Sequence, residues 1–135
     1  MIITYSLDKI ADTAISVLAN CKHKTVLFNA EMGVGKTTLI KEICKQLSIN
    51  DIISSPTYSL VNEYQGKDTL VYHFDFYRIL EEEEAYDIGF EEYLDTDAWV
   101  FIEWPDKVSN LLPEKCTEIS IVLEKNGTRK LSIKN

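Results

Sequence analysis

The chain has 135 residues, with 14 basic and 22 acidic side chains, a formal net charge of -8 and 45% hydrophobic residues. That length argues for one domain over 1–135, because two independent cores would each be marginally small. The composition excludes a disordered chain, no apolar run approaches the roughly 20 residues of a membrane span, and the acidity disfavours a protein that grips nucleic acid by itself.

In chain order, Ile2–Tyr5 reads as a short strand. Ser6 is placed to cap a helix whose apolar positions Ile10, Ala14, Val17 and Leu18 share one face. Asp8, Lys9 and Asp12 interrupt the apolar stretch that a signal peptide would need. Thr25–Phe28 is a compact apolar run of strand length, and a second helix is predicted at about 37–47 from the spacing of Leu39, Ile40, Ile43 and Leu47. Tyr58–Tyr64 and Thr69–Phe76 read as strands flanking the turn-like Gln65–Asp68. The segment 81–97 predicts short helices around Gly89, and Ala98–Glu103 is a buried-type strand. The tail reads as a β-hairpin, roughly 117–124 and 128–133, turning at Asn126-Gly127. Helices alternate with strands early and hairpins follow later. The fold class is therefore α/β, a mixed, mostly parallel sheet flanked by helices, with a C-terminal hairpin.

The acidity is local. Segment 81–97 carries nine acidic residues and no basic one, leaving 13 acidic against 14 basic elsewhere, or +1. Such a run serves either as a solvated helical face or as a docking surface for a basic partner. Cys21, Cys44 and Cys116 are odd in number and far apart, with no C-x-x-C pair. They suggest neither a disulfide framework nor a zinc site, and reduced thiols in a cytoplasm are the simplest expectation.

The most informative stretch is Ala30–Thr38. It matches the P-loop pattern G-x-x-x-x-G-K-[ST] everywhere except the first glycine, here Ala30. A buried strand precedes it and an amphipathic helix follows. Gly33 and Gly35 let successive N–H groups turn inward around phosphate oxygens, and the helix start adds its own unpaired donors. Met32, Gly33, Val34, Gly35, Lys36, Thr37 and Thr38 are the expected nucleotide-binding residues. Lys36 would reach the terminal phosphates, and Thr37 would offer its hydroxyl to Mg²⁺.

Such a loop needs an acid at the end of a neighbouring strand. Trp99–Glu103 and Thr69–Asp75 both end in a carboxylate. Glu103 is favoured as the magnesium-side acid that orients water, with Asp75 as a supporting acid. Ser55-Pro56-Thr57 is either a phosphate-sensing loop or a plain turn. His73 reads as a satisfied sheet residue. Arg78 could pair with Asp75, meet a phosphate or bond to the acidic run, and Trp104 is placed to pack, stack or brace.

Together Gly33–Thr38, Ser55–Leu60, His73-Phe-Asp75-Phe-Tyr77-Arg78 and Glu103-Trp104 resemble the TsaE family, also called YjeE. The family consists of small bacterial P-loop ATPases required for threonylcarbamoyladenosine (t6A) modification of transfer RNA. The motifs cover about 30 through 105. The P-loop is generic, whereas S-P-T-[FY]-x-L and H-x-D-x-Y-R in this order are far more specific. The resemblance implies a P-loop NTPase-like fold and an ATP and Mg²⁺ site. It also implies weak hydrolysis alone, and action on TsaD and TsaB, of which TsaD transfers the threonylcarbamoyl group to adenosine 37. The family's lysine and threonine carry over to Lys36 and Thr37, its acids to Asp75 and Glu103, and its tryptophan to Trp104. Its first loop glycine is Ala30 here. Catalysis is thus expected from Glu103, Asp75 and Lys36, metal binding from Thr37 and Glu103, and contact with transfer RNA indirectly at most. The free chain is expected to be monomeric and cytoplasmic.

Two other functions fit the loop. A small-molecule or nucleoside kinase usually carries several lid arginines, whereas this chain has only Arg78 and Arg129. A non-catalytic, nucleotide-gated binding module would suit the acidic run. A GTPase is disfavoured because no N-K-x-D motif occurs.

Overall fold

Two apolar runs, Thr25–Ala30 (β2) and Trp99–Glu103 (β5), pair in parallel at the centre of a sheet, as near-continuous hydrophobic strands buried on both faces tend to do. The structure, a computed structural model, describes residues 1–50, 53 and 60–135. The other described strands are Ile2–Tyr5 (β1), Val61–Gln65 (β3), Leu70–Asp75 (β4), Thr117–Leu123 (β6) and Arg129–Lys134 (β7). Their order is β1-β7-β6-β2-β5-β4-β3. The sheet is parallel through its middle, at β6–β2, β2–β5 and β5–β4. Its margins are antiparallel, with β1 on β7, β7 on β6 and β3 on β4. The predicted C-terminal hairpin is β6–β7, with Gly127 at φ +87° in its turn.

Period-two alternation divides the core between two faces. Val26, Phe28, Val71 and Phe101 lie with Leu39, Ile40 and Ile43 of helix α2 (Lys36–Gln46) and with Ala14 and Val17 of α1 (Ile10–Asn20). Leu27, Phe74, Val100 and Ile102 lie with Ala85 of α3 (Glu83–Asp87) and Phe90 of α4 (Phe90–Leu94). The ring of Phe90 meets those of Phe74 and Phe76 edge-on, with centroids 4.9 and 5.0 Å away. That aromatic cluster ties the acidic segment to the sheet.

Parts of that segment have internal work. The Glu84 carboxylate accepts the N–H groups of Leu80 and Glu81 at 2.6 and 3.0 Å, which hold it below the usual carboxylate range. Glu82 accepts the backbone and side-chain N–H of Asn110. Only Glu81 and Glu83 of that quartet are left facing outward without a side-chain partner among the described residues.

One local expectation is corrected. Ser6 does not cap the α-helix directly. It precedes a short 3-10 turn, Leu7–Lys9, and its hydroxyl bonds the Asp8 carboxylate instead of a backbone N–H. A serine oxygen has more than one local partner within reach, and here the side chain two residues on wins. Lys9 stands at the head of α1. The predicted start of a strand at Tyr58 and Ser59 lies outside the described residues, as does Ser55-Pro56-Thr57.

The three cysteines are unpaired. Burial pushes the Cys21 thiol up to about 11 and that of Cys44 to about 12, and Cys116 is raised as well.

Candidate functional site

Three parallel strands end side by side, and the site is built at their carboxyl ends. Asp75 closing β4 is the register partner of Glu103 closing β5. On the other side of β5, β2 runs out through Ala30 into the glycine-rich loop. This is where open α/β sheets place their ligands.

Gly33 and Gly35 have φ values of +82° and +101°. Both lie in the left-handed region that disfavours a Cβ, and Gly35 opens α2 from that conformation. No neighbouring atom would obstruct a Cβ at Gly33, so the backbone conformation is what demands glycine there. The expected start of the second helix at about 37 moves to Lys36, which places Lys36, Thr37 and Thr38 in its first turn.

Lys36 is only 7% exposed, and its Nζ has no hydrogen-bond partner in the described structure. Burial lowers its pKa, opposed by the nearby carboxylates of Glu103, Asp75 and Asp106. The ammonium lies 4.1 Å from the centre of the Trp104 ring, an electrostatic contact with the π face. Trp104 itself holds φ +57° and leans on Tyr77, with centroids 4.9 Å apart. A tryptophan in the left-handed region is strained by roughly 1–2 kcal/mol, so the surrounding structure must hold it there. It braces the loop lysine from one side while packing against the aromatic core cluster from the other.

Glu103 is buried, 3% exposed, and its Oε2 accepts a bond from His73 Nε2 at 2.8 Å. The other ring nitrogen, Nδ1, lies 3.0 Å from the Tyr64 hydroxyl. With Nε2 as donor, Nδ1 accepts from the tyrosine, so a single imidazole tautomer satisfies both contacts. His73 is a satisfied sheet residue, as expected, but what it satisfies is the candidate catalytic acid. Burial raises the pKa of Asp75, opposed by the Tyr77 N–H that its Oδ1 accepts at 3.0 Å. Arg78 is exposed and forms no ion pair with a described residue.

The remaining predicted loop residues line a cleft of about 600 Å³ beside the phosphate loop. Met32, Gly33 and Val34 form one wall, Trp104–Asp106 a second, and Ile121–Leu123 of β6 a third. Met32 is 61% exposed. The Val34 carbonyl accepts a bond from Arg129 Nε at 3.1 Å.

Lys36, Asp75 and Glu103 are thus brought together, with Thr37 on the helix turn that carries Lys36. Tyr64 and Asp106 were not identified as site residues from the sequence, His73 was read as a satisfied sheet residue, and Arg129 entered only as a conceivable adenine contact that the family resemblance implies. For His73 a faint signal existed, since it stands two residues before Asp75 and so on the same face. No comparable signal marked Tyr64, and no motif supported Arg129. Among the described residues no group of three or more His, Cys, Asp or Glu could hold a metal by itself. That donor set fits Mg²⁺, which usually takes one or two protein oxygens and completes its shell with phosphate and water.

Residues 4–131 match the family model described as threonylcarbamoyl adenosine biosynthesis protein TsaE. A protein of Haemophilus influenzae carrying the name tRNA threonylcarbamoyladenosine biosynthesis protein TsaE is 39% identical over 66% of this chain and 56% of its own length. A Rickettsia typhi protein of the same name is 38% identical over 81% of this chain and 76% of its own. The match thus spans little more than half of the first relative and about three quarters of the second. The crystal structure of Bacillus subtilis YdiB superposes with a TM-score of 0.78 over 98% of this chain and 84% of that one, at 21% identity, and so shares the fold. By the extent of the family match and the identity to these relatives, the chain belongs to the TsaE family of threonylcarbamoyl adenosine biosynthesis proteins.

Proposed function

We propose that the chain is a single-domain P-loop ATPase whose hydrolysis of ATP, in complex with TsaD and TsaB type proteins, supports threonylcarbamoyl transfer to transfer RNA in the cytoplasm. The single observation that carries this reading is the Lys36 ammonium, buried and without a hydrogen-bond partner among the described residues, behind two left-handed glycines. A buried ammonium with no hydrogen-bond partner among the described residues has a natural complement in a phosphate.

The roles follow from position. The N–H groups from Gly33 to Thr38 cradle the phosphates, with the α2 start adding partial positive charge. Lys36 leaves the indole face and meets the terminal phosphates. Thr37 and Glu103 would hold Mg²⁺, which would supply positive charge to offset that of the phosphates. Glu103, held by His73, orients the attacking water, and Asp75 supports that acid from the next strand. Met32 and Val34 contribute the cleft wall. Transfer RNA would be met through the partners. The outward-facing Glu81 and Glu83 remain candidates for partner contact.

The decisive experiment is ATP turnover by the chain alone and with TsaD and TsaB type proteins. Turnover that rises only in the complex, and that Lys36→Ala and Glu103→Ala each remove, supports the reading. Unchanged turnover in both variants would sink it.

A second expected result concerns Trp104. Because Lys36 sits over its ring, nucleotide binding should change the environment of the indole, and tryptophan emission is expected to shift on ADP addition. Trp104→Phe should remove that response and leave only the unresponsive emission of Trp99. A response that survives in Trp104→Phe would show that the indole stays where it is.

A further inference from the structure

We propose that Arg129, from the C-terminal hairpin, is a positioning residue that sets the phosphate loop in its binding conformation. The inference rests on the loop being the phosphate site, and names the element outside the loop that holds it.

Arg129 begins β7 and is half-buried. Its Nε donates to the Val34 carbonyl at 3.1 Å, and one terminal nitrogen donates to the Gly127 carbonyl at 3.0 Å. The guanidinium therefore bridges the hairpin turn and the loop, across 95 residues of sequence in the first case. It forms no ion pair with a described carboxylate, so carbonyls are what it serves.

The geometry of one peptide unit gives this contact its meaning. No described peptide bond is cis. In a planar trans peptide the C=O and the following N–H point in opposite directions. A guanidinium that holds the Val34 oxygen towards the hairpin therefore turns the Gly35 N–H away from the hairpin. Gly35, at φ +101°, supplies the only residue type that tolerates this turn readily. A loop without that grip could rotate the Val34–Gly35 peptide and lose one inward donor. Anion nests depend on several such N–H groups pointing together, so the loss would be felt directly in phosphate affinity.

Neighbouring structure keeps the arginine in place. Its register partner is Tyr5 on β1, and the hairpin turn closes with Glu124 N–H donating to Thr128 C=O at 2.8 Å. An ideal Cβ built at Gly35 would come within 3.9 Å of the Arg129 Nε, so the side chain lies directly against the loop.

The test uses the full chain with inorganic pyrophosphate and ADP as probes, measured by titration calorimetry. Arg129→Met keeps the aliphatic stem and removes the donors. Arg129→Lys keeps the charge but places a methylene where Nε stood. Both variants are expected to bind pyrophosphate and ADP about tenfold more weakly, the loss typical of one hydrogen bond from a charged donor. In the free protein both should also shift the Gly35 amide resonance.

Three results would overturn the proposal: Arg129→Lys with wild-type affinity, which makes charge alone responsible; ADP weakened with pyrophosphate unchanged, which makes Arg129 a contact of the base; or neither probe weakened. If the wild-type chain binds neither probe, the nucleotide reading itself fails. The Gly35 resonance then still decides whether Arg129 holds the loop.

Discussion

A Lys36→Met protein is expected to lose nucleotide binding and yet melt higher than the wild type. Hydrolysis in the assembled complex should fall by about 10²–10³-fold, the usual effect of removing one preorganised charge donor. The gain in stability has a separate cause. The wild-type ammonium is buried without a hydrogen-bond partner among the described residues, and such a group costs about 1–3 kcal/mol. Its contact with the Trp104 ring returns roughly 0.5–2 kcal/mol. Methionine fills the same space and carries no charge, so a net gain of about 1 kcal/mol, or about 2–4 °C, is expected.

The pH dependence has a definite sign. Burial lowers the folded-state pKa of Lys36, so the unfolded chain holds that proton more tightly. The cost is full below the lowered folded-state pKa, shrinks as pH rises past it, and is gone only above the ordinary lysine value that the unfolded chain keeps. Thermal melts of the two proteins should accordingly converge in alkali. A Lys36→Met protein that melts lower than wild type at neutral pH would show that the ammonium is better satisfied than its surroundings indicate.

Glu103→Gln separates binding from chemistry. ADP affinity should stay within about threefold of wild type, while turnover in the complex drops by about 10²–10⁴-fold, the range spanned by positioned acid–base groups. Glutamine is the informative replacement because its carbonyl oxygen can still accept the bond from His73 Nε2. Alanine would leave that buried N–H without a partner and add a stability loss of about 1–3 kcal/mol to the kinetic effect. Single-turnover hydrolysis with bound ATP gives the rate. Retained turnover in Glu103→Gln would move the water-orienting role to Asp75.

The phosphate loop was legible in the sequence because its signal is local. Gly33, Gly35 and Lys36 are spaced for a particular backbone path, and their flanks are a strand and a helix. Both acids were legible for the same reason, each closing an apolar run. The relay from Tyr64 through His73 to Glu103 was not. It joins three strands, and only the register of β3 on β4 and β4 on β5 brings those side chains together. Arg129 and Val34 meet because β7 lies one strand removed from β2 across β6, an order that hydrophobic periodicity does not encode. The capping role given to Ser6 went astray more simply, since the competing acceptor was a side chain two residues away.

The three thiols, of which only Cys44 is fully buried, have a practical bearing. Burial pushes Cys44 up to about 12 and Cys21 to about 11 and raises Cys116, which disfavours the thiolate that alkylating reagents and peroxides attack. The native thiols are therefore expected to react slowly with both. A cysteine introduced at Leu80, 90% exposed beside the acidic helices, would take up a maleimide dye well ahead of the native three. With the three native cysteines left in place, that dye would report whether a partner covers this face.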